Sequence, residues 1–65
     1  MQERFDVQGM TCAHCARAVT EAVKRVDPAA TVEVDLPTGR VAVESGAPRE
    51  RIAEAIREEG YAVAG

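Results

Sequence analysis

At 65 residues, with 46% hydrophobic and 29% charged residues, the chain has the makings of one small folded domain, residues 1–65, near the size at which a single core only just offsets chain entropy. Its net charge of −3, with no basic run beyond Lys24-Arg25, argues against nucleic acid as a partner, because phosphate recognition needs a basic patch. No apolar run approaches the roughly 20 residues of a membrane span, and the opening residues lack a signal-peptide core, so the expected location is the cytoplasm, with no membrane insertion.

From Glu3 to Gln8 polar and apolar residues alternate, with Phe5 and Val7 on one face, as in a half-buried strand. Met1 stands so close to this strand that a complete small protein is expected. Gly9 breaks the pattern, and Thr11 has the hydroxyl of an N-cap for the helix that follows. Over 13–26 the period becomes helical: Cys15, Ala18, Val19, Ala22, Val23 and Val26 share one face. Glu21, four residues from both Arg17 and Arg25, can pair with either. Arg17 and Lys24 read as a solvated face of mixed sign. Asp27-Pro28 stops the helix, since proline disfavours helical backbone in the residue before it.

Thr31–Leu36 and Arg40–Ser45 alternate again and flank the turn Pro37-Thr38-Gly39, which makes a hairpin. Pro48 suits the first position of a second helix, whose inner face is expected to hold Ile52, Ala55, Ile56 and Glu59. Gly60 fits the left-handed residue that closes it, and Tyr61–Ala64 is long enough for a last short strand. Strands with one apolar face need helices on that side only. The order βαββαβ therefore predicts an α+β fold, the ferredoxin-like sandwich of a four-stranded antiparallel sheet with two helices on one face.

The joint between the first strand and the first helix, Gly9-Met10-Thr11-Cys12-Ala13-His14-Cys15, holds both cysteines and the only histidine. Side chains at i and i+3 of a starting helix face the same way, so the two sulfurs can converge on one point. The field and free N–H groups of a helix start favour the thiolate, which prepares the pair to bind metal. Soft thiolates suit Cu(I), zinc and iron–sulfur centres. Zinc and iron–sulfur sites usually take four protein ligands, and the loop offers two cysteines and one histidine. That count favours a monovalent soft ion such as Cu(I), which accepts low coordination numbers. CxxC alone also serves thiol–disulfide oxidoreductases.

The motif within this strand and helix order resembles the heavy-metal-associated domain family, and the likeness runs from Phe5 through GMTCAHC to Gly60-Tyr61. It is nearest in character to the small bacterial copper chaperones and to the N-terminal domains of copper-transporting P-type ATPases. The resemblance implies that Cys12 and Cys15 bind Cu(I). It also implies that Met10 packs under the loop instead of ligating, and that Tyr61 lies beside the metal loop, filling core and shielding the sulfurs. Zinc-exporting relatives often carry an acid where Thr11 stands, so Thr11 removes a third hard ligand. His14 should face solvent, where its partial charge favours the thiolates or where it bridges a metal-linked homodimer.

The implied function is that of a cytosolic metallochaperone, not an enzyme, handing copper to a P-type ATPase or another copper acceptor by thiolate exchange. A module for mercury, silver or zinc, or one domain of an ATPase, shares the motif. An oxidoreductase fits less well, because the chain is short for a thioredoxin fold and has no proline placed to face a substrate.

Overall fold

The computed structural model describes residues 2–64 of the chain. Six elements follow one another: β1 Gln2–Gln8, α1 Ala13–Val26, β2 Thr31–Asp35, β3 Arg40–Glu44, α2 Arg49–Glu58 and β4 Ala62–Ala64. The strands form one antiparallel sheet in the order β2-β3-β1-β4. This is the ferredoxin-like βαββαβ sandwich that the alternation of periods predicts.

The inward residues of the central strands, Phe5 and Val7 on β1 and Val41 and Val43 on β3, are buried under the two helices. Val19, Ala22 and Val23 of α1 and Ile52, Ala53 and Ile56 of α2 close the core from above. Each fully buried Val, Ile or Phe contributes about 1.5–3 kcal/mol, which is how a chain with two aromatic residues holds together. Among the described residues, no helix is long and apolar enough to cross a membrane.

Several local expectations shift. Pro48 is the N-cap of α2, not its first helical residue: its ψ of 142° is extended, and its carbonyl accepts from Arg51 N–H at 3.0 Å. The buried arc of α2 contains Ala53 where Ala55 and Glu59 were expected, because this helix packs against both α1 and β4. Ala55 is half-buried and Glu59 is exposed. Glu21 takes no ion-pair partner among the described residues; Arg25 reaches instead from α1 to Glu59. Leu36, Ser45 and Tyr61 fall just outside the strands to which alternation assigned them.

The register places one end of the sandwich. Asp6 pairs with Arg40 and Gln8 with Ala62, so the end of β1, the start of β3 and the start of β4 lie together. Three loops meet there: residues 9–12, 36–39 and 59–61.

Candidate metal centre

The cysteine loop begins where Gly9 turns the chain at φ +99°. A side chain at this position would also approach the Tyr61 ring, since a Cβ there would lie 3.5 Å from Cδ1. Next, the Met10 side chain enters the core and is only 9% exposed. This burial draws the loop down on the sheet, while Thr11 and Cys12 stay exposed.

The N-cap of α1 is Cys12 and not Thr11. Cys12 has extended backbone (φ −158°, ψ 173°), and no side chain caps the helix. Its carbonyl accepts from the N–H groups of Cys15 and Ala16, at 3.0 and 3.2 Å. The helix therefore starts one residue later than a Thr11 cap requires, and the Thr11 hydroxyl lies 3.9 Å from the Cys15 sulfur.

Cys12 and Cys15 carry free thiols; the first is exposed and the second half-buried. Their sulfurs are 3.9 Å apart. The Cys15 thiol is lowered from 9.0 to about 6, above all by the backbone N–H of Thr11 and then by the Tyr61 hydroxyl. The Thr11 hydroxyl and the Cys12 thiol add to this, and partial burial opposes it. Tyr61 responds in the opposite sense: donating to Cys15 raises its own pKa, as do its partial burial and the negative charge of Cys15, Cys12 and Glu59 around it. At neutral pH Cys15 is thus largely thiolate, the form that binds metal and attacks electrophiles.

Among the described residues, no cluster of three or more His, Cys, Asp and Glu side chains forms. His14, at the second position of α1, is exposed. A surface depression lined by Arg4, Glu33, Asp35, Arg40 and Ala42 lies on the open face of the sheet, away from the sulfurs. An ion held by two side chains needs no cavity, so two converging thiols require no such hollow beside them.

Two supporting positions carry no functional signal in the sequence. The Gly39 carbonyl accepts from Val7 N–H at 2.7 Å, and a Cβ on Gly39 would lie 2.6 Å from the Val7 carbonyl oxygen. The hairpin turn thus braces the strand that feeds the cysteine loop. Glu59, expected on the buried face of α2, stands two residues before Tyr61 and adds charge near it. A Thr-Gly turn and an acidic residue at a helix end are both common, so only the assembled fold gives them this place.

The heavy-metal-associated domain pattern matches residues 4–62. The copper chaperone CopZ of Bacillus subtilis (strain 168) is 39% identical over 66 residues, covering 97% of this chain and 96% of that protein. The structure of the copper chaperone Atx1 from Synechocystis PCC6803, in its Cu2 form, superposes with a TM-score of 0.91 at 37% identity and covers 95% of this chain and 98% of that one. A protein described as gold-binding superposes with a TM-score of 0.87 at 35% identity, covering 92% of each chain. With the pattern matched over nearly its whole length, the chain belongs to the heavy-metal-associated domain family.

Proposed function

We propose that this chain is a Cu(I) metallochaperone of the cytoplasm that holds the ion between Cys12 and Cys15 and passes it to an acceptor by thiolate exchange. The observation that carries this reading is the pair of sulfurs 3.9 Å apart on a starting helix, one exposed and one half-buried and favoured as thiolate. A metal–thiolate bond is about 2.3 Å for zinc, so two such bonds in line span about 4.6 Å. The sulfurs, 3.9 Å apart, need to open by only about 0.7 Å to hold one ion between them in line. The copper chaperones among its relatives support copper as the cargo.

Transfer follows from the asymmetry of the pair. Cys12 is exposed, so an incoming thiolate can add to the ion on that side while Cys15 still holds it. Cys12 then leaves, a second acceptor thiolate adds, and Cys15 leaves last. Copper stays Cu(I) throughout and is never released to water. The acceptor is a protein with its own pair of exposed thiolates, such as the metal-binding domain of a copper-transporting P-type ATPase. Met10 anchors the loop, Thr11 and Tyr61 favour the Cys15 thiolate, and His14 acts from outside on the charge of the loop or across a copper-linked dimer.

Anaerobic titration with Cu(I) against a competing chelator tests the reading. One equivalent should bind tightly, X-ray absorption should show sulfur ligands alone, and Cys12→Ala or Cys15→Ala should abolish binding. Retention of binding in both variants would reject it. The resemblance to a gold-binding protein favours a second reading, a site for another soft ion. Competition between Cu(I), Ag(I), Hg(II) and Zn(II) in the same assay ranks the ions.

A further inference from the structure

The sheet has two outer edges, β2 and β4, and they differ. β4 is three residues long and uncharged, Ala62-Val63-Ala64. β2 is five residues long, contains no proline and pairs with β3 along its whole length. Val7 N–H donates to the Gly39 carbonyl. Alternation along the ladder then turns the backbone groups of Val41 and Val43 to β1 and those of Arg40, Ala42 and Glu44 to β2. On β2 the partners of these three are Asp35, Glu33 and Thr31, so the N–H and C=O groups of Val32 and Val34 point out of the sheet edge. No strand among the described residues meets them.

The side chains along this edge differ between the two faces. On the face that the helices cover, Val32 and Val34 are only half-buried, although they pack against the core. On the open face Glu33 and Asp35 are exposed, and neither takes an ion-pair partner among the described residues. Glu33 stands beside Ala42 in the ladder, and Arg40, beside Asp35, lies 3.9 Å from Asp6 on its other side. A second copy of the chain is a poor occupant. Pairing β2 with β2 of another copy over all five residues sets Glu33 against Glu33, and like charges directly opposite destabilise a sheet. We propose that the outer edge of β2 is a strand-addition site for an extended segment of a partner protein, one in which apolar residues alternate with lysine or arginine. The backbone groups of Val32 and Val34 bond to the added strand. Its apolar residues lie beside the two valines, and its basic residues lie beside Glu33 and Asp35. Neither cysteine takes part, so the site stands apart from the copper reading.

The test is an NMR titration of the metal-free protein with a capped five-residue peptide that alternates valine and lysine. The amide signals of Val32, Glu33, Val34 and Asp35 should shift saturably, and solvent exchange of the Val32 and Val34 N–H groups should slow. A peptide alternating valine and glutamate should bind about tenfold more weakly. Glu33→Lys combined with Asp35→Lys, both at exposed positions, should reverse that preference. A valine–lysine peptide methylated on the backbone nitrogens that face β2 keeps its charge and cannot donate, so it should lose the binding. Equal binding of the methylated peptide, shifts spread over other acidic residues, or an unchanged preference in the double variant would each overturn the proposal. So would a dimer in sedimentation whose Val32 and Val34 N–H groups exchange slowly without peptide, because a second copy would then hold the edge.

Discussion

The two ends of the sandwich are built by different means. At the end away from the cysteines, the Asp27 carboxylate accepts from the Ser45 hydroxyl at 2.7 Å and from the N–H groups of Ala29 and Gly46, which fastens the loop after α1 to the loop before α2. Arg49 pairs with Glu3 at 3.0 Å and lies over the Phe5 ring, 4.2 Å from its centroid. Side chains therefore close that end. At the cysteine end, the three positive-φ residues of the described chain, Gly9, Gly39 and Gly60, each turn one of the three loops. Backbone conformation shapes this end, which leaves the side chains of the proposed metal site free and keeps bulk away from the sulfurs.

Gly39→Ala tests that contrast most severely. The added Cβ would meet the Val7 carbonyl oxygen at 2.6 Å with φ at +73°. A loss of about 1–3 kcal/mol is expected in urea unfolding. No loss would mean that the turn does not brace β1.

The far end should answer to acid. Hydrogen bonds, chiefly from Ser45 and then from Ala29, hold the Asp27 carboxyl below its ordinary 3.8. A carboxyl whose folded pKa is depressed stabilises the fold above its unfolded value and loses that contribution as pH falls through the folded one. Asp27→Asn should therefore lower the melting temperature at neutral pH, with the gap from the parent closing below pH 3.8. A gap independent of pH would remove the charge from the account.

At the proposed copper site, binding should have its own pH window. The Cys15 thiolate is present at neutral pH and is lost as pH falls through about 6. Below that point, protonation of Cys15 should weaken Cu(I) binding by about tenfold per pH unit, measured by chelator competition. A flat profile from pH 7 to 5 would contradict the assigned thiolate.

The smallest effects separate the donors to Cys15. Tyr61→Phe should move the midpoint of iodoacetamide alkylation upward, and Thr11→Ala should move it less, because the stronger Thr11 contribution comes from its backbone N–H. Thr11→Ala should also leave stability unchanged, since no side chain caps α1. A stability loss near 1 kcal/mol would restore Thr11 as the cap.

The order of elements, the apolar face of α1 and the CxxC at a helix start were legible because each rests on local periodicity or on spacing within one turn. Thr11 illustrates the limit even at short range: the hydroxyl marks a helix start within a residue or two, but whether it meets an N–H or a sulfur depends on where the extended backbone ends. Arg25 shows the same limit at longer range. Charge spacing along one helix offered Glu21, and the crossing of two helices supplied Glu59.

By itself, the sequence determined that two thiols stand three residues apart at the start of a helix in a βαββαβ chain. Periods of two and 3.6 and the turn residues are properties of adjacent positions. Only the tertiary structure decided that Gly39 braces Val7, that Cys12 and not Thr11 is the N-cap of α1, and that Arg25 pairs with Glu59. Those contacts depend on sheet register and on how the helices lie across the sheet, which packing of the whole core selects.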